Sequence, residues 1–437
     1  LRAYKGFNNQ IDRNVLSLYM QYMYVPTPYS IFKDVYKLEP GYILQVDESG
    51  RTRPIEKITS SVFSAQGVSI KQWYSLSSVA KRNQNNLIED EDEAIELLEK
   101  TLLESVQSQL ISDVPLGAFL SGGIDSSMIV GLMNKISSHP VKTFTIGFEE
   151  SAFNEAIYAK EVAKHLGTDH HELYVTASDA FEVIPSLHTI YDEPFADSSQ
   201  IPTYLVSKLA RQHVTVALSG DAGDVLFGGY NRYSWGERVW SKLKWIPPIM
   251  RQTLGTAIQK LPASTWDAAG YLLPNKYKVA SMGDKAHRMA YRLKTVNSLD
   301  DMYHSLVTEG FNESGLVYSD NSILKTKLND SSIVSDIGES EHRMMLWDSL
   351  TYLPDDILTK VDRAAMSVSL ETRIPFLDYR VAELSWRLPL DMKIKNGEGK
   401  WPVRQVLYKY VPRELIERPK AGFAIPVGLW LRGPLRE

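Results

Sequence analysis

The chain has 437 residues, 43% of them hydrophobic, a net charge of −5 and no cysteine. Disulfides, thiolate metal sites and a cysteine nucleophile are excluded within this sequence, and the mildly acidic balance gives no electrostatic case for binding nucleic acid. No apolar run approaches the ~20 residues of a membrane span, so the expectation is a soluble, cytoplasmic enzyme of about two or three domains, and, with a start at Leu1 rather than Met and an end at Glu437, a piece of a longer protein is expected.

Residues 1–56 carry short patterned segments. Asn14 to Tyr22 reads as a helix with Asn14 as N-cap, because Val15, Leu18, Tyr19 and Tyr22 fall at i, i+3, i+4 and i+7 on one face. After Pro26 and Pro28 comes IFKDVYKLEPGYILQVD, where Pro40–Gly41 turns between extended segments and Asp47 to Gly50 tips a hairpin. Alone, this part is too small and edge-rich to be a comfortable domain. Residues 57–90, rich in Ser, Asn, Gln and Lys, read as a linker docked through Trp73 and Tyr74. The acids from Glu89 to Glu93 suit the positive end of a helix dipole, and Ile95, Leu98, Leu102, Leu103 and Val106 give that helix its apolar face.

From about 113 to 230 the pattern alternates: strand 115–121, helix 126–137, strand 141–147, helix 154–166, strand 171–175, helix 179–188, helix 203–212 and strand 214–219. Alternation of this kind predicts an α/β fold with a doubly wound parallel sheet. Ligands of such sheets lie at the carboxyl ends of the strands. Ser121 to Ser126, Ile146 to Phe148 and Ser219 to Asp224 are therefore expected on one rim. From 230 to 437 the chain reads as mostly helical, broken at Pro247–Pro248, Pro262, Pro274, Pro354, Pro375 and Pro389. The basic, aromatic WSKLKW at 240–245 reads as a helix packing Trp inward and Lys outward.

Two stretches carry chemistry. In PLGAFLSGGIDSS (115–127) a buried strand ends at Ser121, two glycines follow, and a helix begins. Glycines let backbone approach a ligand, and unpaired N–H groups with the positive end of a helix dipole bind phosphate. Asp125 is odd company for phosphate unless a cation lies between them, which reads as a Mg²⁺ ligand. The loop is neither GxxxxGK[ST] nor GxGxxG. The plain alternative is a strand-to-helix turn in which Ser and Asp cap the helix. The second stretch, LSGDAGDVLFGGY (218–230), repeats the logic of strand, glycine turn and acids. Asp221 and Asp224, three apart, are expected to face the same way on a helical turn, with Asp224 joining Asp125 on the metal and Asp221 beside a reacting carboxylate. Here the plain alternative is a pair of capping aspartates.

The first loop matches the SGGxDS loop of the PP-loop ATP pyrophosphatases, and the whole chain resembles the glutamine-hydrolysing asparagine synthetases and their relatives, among them the β-lactam synthetases. Six motifs carry the resemblance in order: LSGGIDSS (120–127), FTIGFEE (144–150), DEPFADSSQIPTYL (192–205), LSGDAGDVLFGGY (218–230), KVDRAAMSVSLETRIPFLD (360–378) and RPKAGFAIPV (418–427). The resemblance implies that residues 1–56 are the C-terminal remnant of a glutaminase (class II amidotransferase) domain. It implies that 91–437 form an ATP pyrophosphatase domain truncated at its C-terminus. ATP would be held by backbone at Leu120, Ile146, Ser219 and Gly220 and by Ser121, Gly122, Gly123, Asp125 and Ser126. Mg²⁺ would be bound by Asp125 and Asp224. Asp221 stands where the family carries an acid, often Glu, that serves the adenylation and the ammonia proton, and Lys420 matches a lysine that steadies the phosphorus and the leaving pyrophosphate.

The implied reaction is ATP-dependent amidation of L-aspartate to L-asparagine through β-aspartyl-AMP, releasing AMP and pyrophosphate, with ammonia from glutamine in the full-length parent. The rival on the same scaffold amidates or cyclises another carboxylate: a sugar acid, a peptide or a β-lactam precursor. A rival of another class is a nucleotide-binding scaffold with a dead site. Partners are expected to be small molecules, with no nucleic acid and no membrane, and a homodimer is compatible with the resemblance. The chain also departs from the family. The family's glutaminase begins with a cysteine that this chain lacks, so that part is expected before Leu1. Where the family usually has Gly and Glu, this chain has Ala222 and Val225, and the apolar Val225 is expected to remove a charge near the metal. His170 and His171, adjacent in a strand, point to opposite faces and read as a surface or strand-end pair. Asp197, Ser198 and Ser199 read equally as substrate-facing or as a capped helix start. Arg373 and Asp378 read as a pair across a turn, with direct substrate contact as the alternative.

Overall fold

The computed structural model describes residues 3–48, 63–65, 67–150, 154–271, 281–309, 317, 324–418, 427–433 and 436. The first helix, α1 (Arg13–Tyr22), is capped by Asp12, whose carboxylate accepts from the N–H groups of Asn14 and Val15. The cap thus lies two residues before the expected Asn14. The expected face is confirmed: Val15, Leu18 and Tyr22 are buried. Strand β1 (Tyr42–Val46) pairs antiparallel with β3 (Val68–Gln72), which also pairs with β2 (Phe63–Ala65). Helix α2 (Leu76–Asn83), capped by Ser75, buries Val79 and Ala80. The stretch read as a linker therefore carries regular structure in its described part. Its polar composition hides that only one helix face and one strand need apolar residues.

Helix α3 (Glu91–Gln109) opens on Asp90 and three first-turn acids and buries Leu98, Leu102 and Val106. It leads into a five-stranded parallel sheet of β4 (Leu116–Phe119), β5 (Lys142–Phe148), β6 (Asp169–Val175), β7 (Val216–Leu218) and β8 (Glu371–Arg373), in spatial order β6-β5-β4-β7-β8. Helix α4 (Ile124–Ile136) joins β4 to β5, and α5 (Ala156–Leu166) joins β5 to β6. One core cluster combines α3, α4 and α5, including Leu102, Met128, Leu132 and Val162. A second joins Phe144, Ile146 and Phe148 of β5 to Ile201, Leu205 and Val206 of the helix Gln200–Arg211. The sheet is thus doubly wound, and β7 is buried at every residue, as strands covered on both faces are. The fifth strand was not expected. It comes from the 360–378 motif, more than 150 residues after β7, and is too short to show a period.

The chain leaves β4 toward β5 on one side and comes back to β7 on the other, so the order reverses between β4 and β7. That reversal is where open α/β sheets bind ligands. Beyond Tyr230 the chain is mostly helical, as expected. A third cluster packs Leu18, Tyr22 and Tyr24 against Tyr233, Tyr303 and Trp347, so the N-terminal segment sits on this helical region. Among the described residues no helix is long and apolar enough to cross a membrane.

Candidate active site at the strand ends

After β4 the chain turns at Gly122, which has φ +70°; a Cβ there would stand 2.7 Å from the Ala159 nitrogen. The turn is tied internally. Ser126 Oγ accepts from the Ser121 N–H at 3.2 Å and lies 3.0 Å from Ser121 Oγ, which accepts from the Gly123 N–H at 3.3 Å. Helix α4 starts at N-cap Gly123 with no side-chain cap, so the capping alternative fails: neither Ser nor Asp closes this end. Leu120 donates its N–H to Phe144 O at 2.9 Å, and β5 runs on past the last residue of β4 that pairs with it, Phe119 opposite Phe144. Ile146 therefore has open backbone on the side of the loop.

The second loop lies directly on the first. A Cβ on Gly220 would stand 2.7 Å from both the Asp125 carbonyl carbon and the Ser126 nitrogen, and one on Gly223 would stand 2.5 Å from Asp125 Oδ1. Glycine is required at Gly220 because two backbones meet there, whereas Gly223 lies against the Asp125 carboxylate. Ser219 donates its N–H to Arg373 O of β8 at 2.8 Å. Ala222 takes φ +72° and opens the short helix Gly223–Leu226, so Asp221 precedes the helical turn and does not share its face with Asp224, contrary to the spacing argument. Asp221 instead accepts from Ser219 Oγ at 2.5 Å. Burial raises its pKa, with Ser219 and Lys360 pulling the other way.

Asp125 and Asp224 do come together. The ammonium of Lys400 pairs with Asp125 and lies 2.6 Å from Asp224 Oδ1. Burial works against the Lys400 charge, but the two carboxylates outweigh it and hold its pKa above the usual lysine value. Lys400 sits at φ +61°, pinned by its own N–H to Phe227 O at 2.8 Å. Two carboxylates from the ends of adjacent strands thus converge on one cation, the arrangement that Mg²⁺ held by one or two carboxylates plus phosphate oxygens needs. Among the described residues no group of three or more His, Asp or Glu could hold a metal by itself.

Sequence reasoning missed three cations here: Lys400, Lys360 and Arg418. Lys400 had a signal, since a lysine at the N-cap of the helix Trp401–Leu407 opposes the dipole and needs a local reason. Lys360 is 8% exposed and reaches Asp197 Oδ2 at 2.7 Å and Ser199 Oγ at 2.8 Å. Asp197, half-buried, keeps a lowered pKa because Lys360 outweighs its desolvation. It also accepts from the Ser199 N–H at 2.8 Å, so it closes a local turn and at the same time lines a cavity of about 330 Å³ together with Tyr22, Met23, Tyr24, Arg232 and Tyr352. Arg418 stacks 3.8 Å above the Tyr158 ring and donates to Gly122 O at 3.2 Å. Lys420, two residues on, lies outside the described residues.

Other expected residues stand elsewhere. Val225 is 1% exposed within the main core, so its apolar side chain packs there and is not a charge missing from the metal's surroundings. Arg373 bonds Glu371 and the carbonyls of Gln109 and Ile111, while Asp378 caps the next helix and pairs with Arg380. The two do not pair with each other, because each finds a nearer partner. His170 bonds Thr143 Oγ1 at 2.9 Å, and His171 stacks on His213 at 3.9 Å between ring centroids, in keeping with opposite faces.

The profile of the asparagine synthase family matches residues 97–437. Asparagine synthetase [glutamine-hydrolyzing] 1 of Bacillus subtilis is 32% identical over 98% of this chain, which spans 61% of that protein. Asparagine synthetase [glutamine-hydrolyzing] 3 of the same organism is 24% identical over 85% of the chain, and 53% of that protein is covered. Amidase chyE of Penicillium rubens is 23% identical over 93% of the chain and 61% of its own length. The chain thus spans little more than half the length of these relatives.

Proposed function

The chain belongs to the asparagine synthase family, and from that premise we propose that it is the ligase part of an ATP-dependent amidating enzyme. The observation that carries the reading is the meeting of Asp125 and Asp224 on one cation, beside a glycine turn and a helix end that no side chain caps. ATP lies with its phosphates on Ser121, Gly122, Gly123 and Ser126 and its adenosine against Leu120, Ile146, Ser219 and Gly220. Asp125 and Asp224 would hold Mg²⁺, which when bound offsets charge on the phosphates. Lys400, released from the carboxylates, faces the leaving pyrophosphate, and Arg418 fixes the loop it approaches; Lys420 would steady the same leaving group, as the resemblance implies. The absence of a loop lysine and the place of Asp125 favour cleavage between the α and β phosphates, so a carboxylate oxygen displaces pyrophosphate and becomes an acyl-adenylate. Ammonia then attacks the acyl carbon and AMP leaves. Asp221, its pKa raised by burial, takes the proton from nitrogen.

The acceptor in this reading is L-aspartate and the product L-asparagine. Glutamine supplies ammonia through a domain that precedes residues 1–56, which are its C-terminal tail, and residues 91–437 form the synthetase domain. The relative named an amidase favours a second reading, amidation or cyclisation of another carboxylate on the same scaffold. The test is pyrophosphate and AMP release from ATP by the full-length parent with L-aspartate and ammonium chloride. Turnover that falls more than about 100-fold in Asp125→Ala is expected, in the range that loss of a group stabilising transition-state charge produces. Unchanged turnover in that variant would instead indicate a site that performs no chemistry.

A further inference from the structure

Residues 238–266 hold five bases and no acid, in a chain whose net charge is −5. The expected helix with Trp inward and Lys outward is only half observed there. Trp240 faces the fold, with the Arg251 guanidinium 5.4 Å from its ring. Trp245 instead is 81% exposed. The helix Asn231–Leu243 ends at Lys244, and Pro247 and Pro248 open the next helix, Pro248–Lys260. Trp245 thus falls in the bend between two helices, where no helical period directs it.

The second helix is held from one side. Arg251 is buried and donates from Nη1 to Val296 O at 2.5 Å. Gly255 packs so close to the helix Met282–Thr295 that a Cβ would stand 2.6 Å from Ala290 O. With positions 251 and 255 turned inward, Met250 and Leu254 form a ridge beside them that faces water. Ile249 is 78% exposed. Single exposed apolar side chains are ordinary, but Trp245, Ile249, Met250 and Leu254 stand within ten residues of chain, and such a cluster calls for a partner. The same segment brings exposed Arg238, Lys242, Lys244 and Lys260. Among the described residues no ion pair engages any of these four.

We propose that this face docks the protein reversibly on an anionic lipid surface, with Trp245, Ile249, Met250 and Leu254 entering the headgroup layer and Arg238, Lys242, Lys244 and Lys260 over the lipid phosphates. Indole and aliphatic side chains settle at the boundary between headgroups and acyl chains, and each base near a negative surface raises the partition roughly fivefold. The combination selects the occupant. A second copy meeting this face with its own would set like charges against each other, and a nucleic acid would leave the apolar groups in water. The docking is peripheral, in keeping with the lack of a spanning helix among the described residues, and departs from the expectation of no membrane partner. It does not depend on which reaction the strand-end site performs.

The test is flotation of the full-length parent with vesicles of phosphatidylcholine alone and of phosphatidylcholine with about one third phosphatidylglycerol. The protein should float with the anionic vesicles at least about tenfold better than with the neutral ones. Salt at about 0.5 M, where the screening length is a few ångströms, should abolish the difference. Lys242→Glu combined with Lys244→Glu should lower binding by more than about tenfold. Trp245→Ser combined with Ile249→Ser should also release the protein, with circular dichroism unchanged because both side chains are exposed. No enrichment of wild type on anionic vesicles overturns the proposal, whatever the variants do. Undiminished binding by the double glutamate variant also overturns it, because another surface then holds the lipid. Binding of poly-glutamate but not of vesicles would assign the face to an acidic protein. A dimer that sedimentation shows to dissociate in Trp245→Ser with Ile249→Ser would assign it to a second copy, and either result displaces the lipid.

Discussion

Single side chains already make the site testable. Replacing Lys400 with Met leaves two carboxylates together without their cation, and breaking a buried ion pair costs about 3–5 kcal/mol. Thermal unfolding of Lys400→Met should therefore start well below wild type and rise more than wild type on adding millimolar Mg²⁺, because the ion no longer competes with the ammonium. Equal Mg²⁺ shifts in the two proteins would rule out a shared cation site. Ala222 is held at φ +72°, where a Cβ costs about 1–2 kcal/mol; Ala222→Gly should raise the melting temperature by about 1 °C after the entropy cost of glycine. Asp356 is pushed up to about 8 by burial and then by Asp197. The folded protein thus binds a proton that the unfolded chain releases near pH 4, so stability falls as pH rises from about 4 to 8. Melting curves of wild type between pH 5.5 and 8.5 should drop more than those of Asp356→Asn. At this scale the sequence made the glycines and Asp125 legible, because their chemistry is local. Lys400, Lys360 and Arg418 were not, because each gains its meaning only from an acid or carbonyl far away in the chain.

Elements decide how the loops meet. The loops after β4 and β7 touch through Gly220, and Gly220→Ala should force a backbone shift of several tenths of an ångström in the phosphate turn. Pyrophosphate release should fall by more than tenfold with the fold retained, since displacement of about 1 Å costs roughly 100-fold; full activity would show that the loops are not in contact during turnover. The βα alternation was readable from 115 to 219 because buried parallel strands are continuous apolar runs separated by amphipathic helices. Boundaries shifted by a few residues, as at β4, where the turn begins at Leu120. The strand Glu371–Arg373 could not be read, since three residues with two charges show no period. The π-helical stretch Leu353–Leu358 was hidden for another reason. Pro354 suggested a break, whereas the chain accommodates it by widening one turn and carries Asp355 and Asp356 inward.

Across the whole molecule, the N-terminal segment is bound to the synthetase core by specific polar contacts. Thr27 donates its N–H to Asp355 Oδ2 at 2.9 Å and its hydroxyl to Asp355 Oδ1 at 2.5 Å, both buried. Thr27→Val leaves that oxygen unmet, which costs about 1–3 kcal/mol, and urea unfolding should show a lower midpoint with an unchanged slope. The sequence separated residues 1–56 from the rest on size and composition; it held no trace of this attachment, because a threonine and an aspartate 328 residues apart form no pattern. The cavity beside Asp197 makes the attachment matter. Tyr22, Met23 and Tyr24 are part of its wall, so the seam between the two parts of the polypeptide runs through the pocket itself. A chimera joined near residue 56 would exchange a wall of the pocket along with the N-terminal segment. The N-terminal segment is therefore not an interchangeable part: replacing it also reshapes a cavity that the helical region helps to build.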